Sequence, residues 1–538
     1  MILLLLACGE PEPDASPFVL ELTQGSVTEA SPGLAWPGVI GVPNIDDDNE
    51  DGTEDWVHGL IGDDNDYTAF TVQAGGLPVN LTLSDGAGQV RIYRDGKVVL
   101  GADGGEVVLK KSDGVVEFQA EFKDFLSRGT LVVSERGAQA IEVGLVGAPL
   151  ILNHHLQGSD LVMMVTANYG GNAHNGAMAA AYRSSLPEGA FKTFPMSQYG
   201  GDVWIQDEIE FATLTSTDGI IDVVIDSIRD GQGEAGSGLD NIPEDHFLAP
   251  DWVVRTWGSG RSTGQDYFGN LEVSPPVTVD GVEYPFGRIY YGSTTAQFKP
   301  NDAIEDFFDA QRVQAPFKVD TSWLIVGHVD EYTSTVPDPS SEKGFKFLMA
   351  DTNLAWDILE SMDRETHLTR YALPGPYNGH EIETVGQFVD DAALRGVNED
   401  VQDILDAELE TFRAELGLED EDIIYVPVLF HEEYAGYDAV VATIPGMVNL
   451  IVANDVDGQQ TLFVPDPMMR TDVDDLSADP FIAYMEEQLP AEVPIVWMDD
   501  WYVYHMGMGE VHCGSNVVRP PAGPEWWVAA AHLLQDEE

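Results

Sequence analysis

The chain has 538 residues, 43% of them hydrophobic, which supplies a large buried core for two or three domains and excludes general disorder. Lys and Arg total 25 against 93 Asp and Glu, a net charge of −68, which excludes nucleic acid as partner and favours cations. Acid runs along the whole length, so a solvated acidic coat explains part of the excess, and local clusters that hold or attract cations explain the rest.

The start, Met1-Ile2-Leu3-Leu4-Leu5-Leu6-Ala7-Cys8-Gly9, reads as the end of a secretory apolar stretch with a lipobox-like Leu-Leu-Ala-Cys, lacking the usual basic leader. On that reading residues 1–35 are a signal remnant and tether, Cys8 carries lipid, and the protein is exported, anchored at the bacterial cell envelope or extracellular. A chance apolar start is the alternative. No later run is long and apolar enough to span a membrane, so membrane contact is expected only through Cys8. Two cysteines make no disulfide framework, which leaves Cys513 as the thiol for chemistry.

Residues 36–148 are turn-rich with period-two patterning and read as a β-sandwich. Val90, Ile92, Val98 and Leu100 alternate with polar residues around Asp95-Gly96, the dipeptide of a tight hairpin. Further strands are expected around 70–72, 115–122 and 131–133. Here Asp47-x-Asn49-x-Asp51-Gly52-x-x-Asp55 fits a calcium loop, although His58 at position twelve excludes an EF-hand.

From residue 149 to the C-terminus the texture is α/β, with strand-like runs at 161–165, 223–225 and 323–326. The clearest helix spans 401–416: Val401, Ile404, Leu405, Leu409, Phe412 and Leu416 share a face, Asn398 is placed to cap it and Gly417 to end it. A strand follows at 423–426. So long an α/β region suggests repeated units, yet no sequence repeat is visible.

Four distant segments carry the chemistry: Trp204-Ile205-Gln206-Asp207-Glu208-Ile209-Glu210, Phe268-Gly269-Asn270-Leu271-Glu272, Gly327-His328-Val329-Asp330-Glu331 and Val511-His512-Cys513-Gly514-Ser515-Asn516. They hold what attack on a guanidinium needs. That planar cation must be gripped and oriented, which two carboxylates do by each taking a fork of N–H donors, and Asp207 and Asp330 are the candidates. The attack needs a thiolate, for which Cys513 stands. An imidazole must protonate departing ammonia and then activate water. His328, expected at the end of the strand 323–326, competes for that role with His512, which a strand would turn to the opposite face. Each piece alone is weak, since a lone cysteine is more often buried filler and Trp204 more often core.

Together the segments resemble the catalytic domain of the calcium-dependent protein-arginine deiminases. The resemblance runs in order through 204–210, Asp226-Ser227, 268–279, Gly287-Arg288-Ile289, 326–331, Met447-Val448-Asn449 and 509–517, and more weakly through the β region. It implies a five-bladed α/β propeller of the pentein kind after an immunoglobulin-like β-sandwich, with Cys513 as nucleophile, His328 as acid and base, and Asp207 and Asp330 on the guanidinium. It also implies that Trp204 stacks on the arginine stem and that Arg229 lies near the substrate backbone. The implied activity is calcium-dependent conversion of arginine residues in proteins or peptides to citrulline and ammonia.

Calcium takes six to eight oxygens. In a strand, Gln206, Glu208 and Glu210 would alternate with Asp207 and point away from the cleft. The resemblance assigns one ion to Gln206, Glu210, Glu272 and the backbone oxygens of Phe268 and Leu271, and a second to Glu208, Asp226, Ser227 and Asp230, the last an Asn in vertebrate members. It assigns the β region a set in a different register from the loop above: Asn44, Asp46, Asp48, Asp55, Asp63 and Asp66, with Asp251 from the catalytic region.

The resemblance thins at Gly231 and Gly507, where vertebrate members carry arginines that contact the substrate backbone, and at Met508. The chain begins with what corresponds to the family's middle domain. Two alternatives therefore stand beside the lead: a pentein deiminase of a small guanidino compound, and an inert calcium-stabilised binding lipoprotein.

Overall fold

The computed structural model describes residues 19–21, 26–27, 38–46, 54–58, 66–74, 77–135, 140–216, 219–229, 238–249, 252–256, 258, 261–372, 382–433, 439–521 and 523–534. Cys8 lies outside these, as do Asp47, Asp48, Asn49, Asp51, Gly52, Asp63, Asp230, Gly231 and Asp251.

The N-terminal part is two sheets around one core. One sheet orders Val19–Glu21, Thr68–Gln73, Val115–Phe122, Val90–Arg94 and Lys97–Leu100; the other orders Ser26–Val27, Gly38–Gly41, Ile141–Gly147, Arg128–Glu135, Val79–Asp85 and Val107–Leu109. Phe70, Ile92 and Phe118 from the first meet Leu81, Leu131 and Val143 from the second. The strands Val19–Glu21 and Ser26–Val27 belong to these sheets although composition assigned residues before 36 to a tether. Asp95 and Gly96 turn the hairpin with φ of 51° and 72°, and Arg94 pairs with Lys97.

The rest is mixed α/β, and five of its sheets share one pattern: a central strand pairs antiparallel on one side and parallel on the other. In chain order the central strands are Leu161–Thr166, Ile220–Asp226, Ile289–Gly292, Phe345–Asp351 and Gln460–Pro465. Each parallel partner comes later in the chain after a crossover that contains helix. In the second, fourth and fifth units the antiparallel partner immediately precedes the central strand, and in the third the hairpin of Val277–Val279 and Val282–Tyr284 lies between the two. In the first the antiparallel partner is Ser515–Val518, from the far end of the chain, which joins the two ends of the region.

Three local expectations need correction. Residues 323–326 form a turn, not a strand, with one bridge from Leu324 to Val440. Asp320 nucleates it: its carboxylate accepts from Ser322 N at 2.8 Å and its carbonyl from Trp323 Nε1 at 3.0 Å, a local competitor of strand pairing. The helix spans Ala392–Leu416 and is capped by Asp391, whose side chain accepts from Ala393 and Leu394 N–H; Asn398 is buried within it, and Gly417 ends it in the left-handed conformation. Ile205–Glu208 is a helical turn rather than strand, and the strand begins at Ile209.

Candidate active site

The repeated unit explains how distant segments meet. In each unit the antiparallel strand is preceded by a tight turn, and that turn carries a residue of the site. Asp207 lies two residues before Ile209–Thr215, Gly269 two before Leu271–Val273, Asp330 three before Thr333–Pro337, Asn449 two before Ile451–Asn454 and Cys513 two before Ser515–Val518. Backbone bonds tie the turns together: Gln206 N–H donates to Cys513 O at 3.3 Å and His512 N–H to Asn449 O at 3.0 Å.

Cys513, Asp207, His328 and Asp330 are all buried. The thiol donates to Asp330 Oδ2 at 3.4 Å, and Asn449 Nδ2 donates to the sulfur at 3.2 Å. His328 Nε2 lies 2.9 Å from Gly264 O; a carbonyl only accepts, so Nε2 carries the hydrogen and Nδ1 faces the cleft. Nδ1 is 3.6 Å from Asp207 Oδ1. A Cβ built on Gly269 would meet His328 Nδ1 at 2.5 Å, Asp207 Oδ1 at 3.1 Å and Asp330 Oδ2 at 3.2 Å, so all three converge where that glycine leaves space. Asp207 Oδ1, Asp330 Oδ1 and His328 Nδ1 find no hydrogen-bond partner among the described residues.

Buried acceptors without donors are costly, and the carboxyls respond. Burial raises Asp207, against the pull of His328 and Arg229. Burial, then Asp330 and Asp207, pushes the Cys513 thiol well above its ordinary range, so the thiol is neutral until a cation enters. A guanidinium brings donors and charge of the required kind.

Trp204 is half-buried, packs edge-on against Tyr504 at 5.6 Å and is flanked by Gly507 and Gly509, where a Cβ would touch its ring at 2.9 and 2.5 Å. Arg229 is paired with Asp202 at 2.7 Å and Glu208 at 3.2 Å and stacks over Tyr267.

Successive residues of the helical turn point in three directions about 100° apart, where a strand would give two. Gln206 Nε2 reaches Glu210 at 3.1 Å and Phe268 O at 3.4 Å; Asp207 enters the cleft. Glu208 turns to a cluster with Asp226 and Asp240 whose oxygens lie within 4.8 Å of one another. The donor sets suit calcium: the group around Gln206 is amide, carboxylate and carbonyl, and reversing the amide makes it all oxygen. Burial raises Glu208 against the pull of Arg229, and lifts Glu210 to about 7 and Glu272 to about 8 against the pull of His512 and Arg519. In the β region Asp46, Asp55 and Asp66 gather likewise, whereas the Asn44 amide donates to Glu121 at 2.9 Å. Of the alternative loop register only Asp55 is among the described residues.

Sequence reasoning assigned no role to Asn449, Gly269 or Asp240. It also turned His512 away by assuming a strand; 511–514 is a turn, and His512 Nδ1 lies 2.8 Å from Asp330 Oδ2. Burial opposes its protonation, but that bond and Glu272 raise it.

A family model described as protein-arginine deiminase (PAD) matches residues 140–528. Protein-arginine deiminase type-4 of Homo sapiens is 34% identical over 341 residues, which cover 62% of this chain and 49% of that protein. Type-1 of Mus musculus is 33% identical over 351 residues, 62% of this chain and 48% of that one. The chain thus spans about half the length of the curated relatives it matches. Among solved structures, an agmatine deiminase of C. jejuni aligns with TM-score 0.38 and 9% identity over 70% of this chain and 97% of that one.

Proposed function

The chain belongs to the protein-arginine deiminase family, and from that premise we propose that it hydrolyses the guanidinium of arginine residues in proteins or peptides to citrulline and ammonia, with calcium required. One observation carries the reading: the acceptor atoms of Asp207, Asp330 and His328 face a common space, with the Cys513 sulfur 3.4 Å from Asp330.

The guanidinium forks onto Asp207 and Asp330 while Trp204 flanks the alkyl stem. Its positive charge reverses the field that kept the thiol protonated, and the Cys513 sulfur attacks the central carbon. The carbon–sulfur bond forms, the carbon–nitrogen bond breaks, and His328 Nδ1, which has taken the thiol proton, passes it to the departing nitrogen, which leaves as ammonia. Nδ1 then takes a proton from water, whose oxygen bonds to the same carbon; the carbon–sulfur bond breaks, and citrulline and the thiolate remain. The bond from Nε2 to Gly264 O keeps Nδ1 on the cleft side throughout.

Gln206, Glu210, Glu272 and the carbonyls of Phe268 and Leu271 would hold one calcium ion. Glu208, Asp226, Ser227 and Asp230, with Asp240, would hold a second, and Asn44, Asp46, Asp48, Asp55, Asp63, Asp66 and Asp251 the ions of the β region. Bound calcium would offset the buried negative charge and fix the turn that carries Asp207.

We read the five sheets as blades of a pentein propeller over residues 149–538, preceded by an immunoglobulin-like domain over 36–148, with lipid on Cys8 as anchor of an exported protein. A second reading, a small guanidino substrate, draws on Gly507 and Gly509 beside Trp204 and on Arg229 being engaged by Asp202 and Glu208, which leaves few donors for a peptide backbone.

The test is citrulline formation from a blocked arginine ester, free arginine and agmatine by the purified chain, with calcium and with chelator. Turnover of the blocked substrate that needs calcium is expected. A preference for free arginine or agmatine would establish the second reading, and no product from any of them would sink both.

A further inference from the structure

The deimination steps leave one buried cluster unused. His155, Glu272 and His512 are all buried, and each offers a ligand atom within 4.8 Å of the other two. They line a cavity of about 30 Å³ together with His154, Gln206, Glu210 and Arg519, room for an ion and a water. His512 Nδ1 is 2.8 Å from Asp330 Oδ2, so Nδ1 donates to the carboxylate and Nε2 is the atom left for a ligand position, 3.6 Å from Glu272 Oε1. Carboxylate, imidazole and ligand position in series is the arrangement that orients metal-binding histidines. His155 Nδ1 lies 3.2 Å from Ser334 Oγ, which leaves its other nitrogen for the cavity, and the two imidazoles meet edge-on at 5.0 Å.

We propose that His155, Glu272 and His512 form a site for a divalent transition ion of the zinc class, and that its occupation excludes calcium from this cavity because Glu272 would serve both ions. Two imidazoles and one carboxylate are a zinc donor set that leaves a position for water, whereas calcium takes oxygens. The 3.6 Å between His512 Nε2 and Glu272 Oε1 is near the roughly 3.4 Å between two ligands of a tetrahedral ion at zinc distances. Arg519 is the opposing charge, and its guanidinium is committed to Gln157 O at 2.7 Å and Val452 O at 2.8 Å. The zinc site stands without any turnover; only the exclusion rests on the calcium reading.

The full chain bearing Cys513→Ser, which removes both turnover and the thiol as a ligand, is titrated with zinc by calorimetry and with cobalt(II) by visible absorption. One ion per chain with a tetrahedral nitrogen and oxygen cobalt spectrum is expected, weakened about tenfold or more by His155→Ala and by the gentler His155→Asn. Thermal unfolding of each variant confirms the fold. Calcium is expected to raise the apparent zinc Kd. Zinc binding indifferent to both His155 substitutions would mean the acidic surface alone holds it and would overturn the site. Binding through His155 that calcium does not weaken would overturn the exclusion.

Discussion

A methyl group on Gly269 would sit 2.5 Å from His328 Nδ1, closer than real contacts allow, and the ring has no easy retreat because Nε2 is held by Gly264 O. Gly269→Ala is therefore expected to lower kcat by about 100-fold through misplacement of His328 and to lower the unfolding temperature, since overpacking a buried site costs about 1–3 kcal/mol; steady-state kinetics and calorimetry check the pair. Cys513→Ser should abolish citrulline formation and leave the fold intact, since the buried sulfur is replaced by a smaller hydroxyl beside Asn449 and Asp330. Retention of even a few per cent of activity in Cys513→Ser would remove the covalent step. Cys513, His328, Asp207 and Asp330 were legible in the sequence because their side-chain types name a chemical role. Gly269, Asn449 and Asp240 were not, because they supply space, a donor or an extra carboxylate at a place that only the fold defines.

At the level of elements, period and cap were readable where local bonds and burial agree. The strand at 115–122 and the hairpin at Asp95-Gly96 came through intact. The helix was placed with its end right at Gly417 and its start nine residues late, because the capping oxygen belongs to Asp391 while Asn398 does other work. Asn398 is fully buried; its amide donates to Leu394 O and Phe430 O and accepts from Phe430 N, each at 2.8 Å. Replacing it by Ala strands the Phe430 backbone groups and should cost about 3 kcal/mol, measured by urea unfolding, with the strand Phe430–Glu432 losing amide-exchange protection first. A loss under 1 kcal/mol would mean water replaces the amide. The turns at 205–208 and 323–326 misled because Asp202 and Asp320 bond the backbone locally, a competition that hydrophobic spacing does not record.

Across the whole molecule, the length of the α/β region suggested repeated units, but no repeat was visible in the residues because the five units share a pairing pattern rather than side chains. Their turns bring acids of one sign into the centre, and that arrangement sets how stability depends on pH. Burial lifts Glu210 to about 7, Glu272 to about 8 and Glu510 to about 8, all from an ordinary value of 4.5. Between pH 4.5 and 8 the unfolded chain has lost these protons while the folded chain keeps them, so the native state binds more protons and its stability falls as pH rises. With chelator present, the unfolding temperature should therefore decline from pH 5 to pH 8. Glu210 and Glu272 are the proposed calcium oxygens, and a bound cation favours their ionised forms, so saturating calcium should flatten that decline and stabilise the protein more at pH 8 than at pH 5. Glu510 lies outside the proposed ligand set, so part of the slope should survive calcium. Scanning calorimetry across this range, with calcium and with chelator, reads both effects. A calcium-induced rise in unfolding temperature that is equal at the two pH values would show that the ion is held by the acidic surface and not by the buried carboxyls behind Asp207.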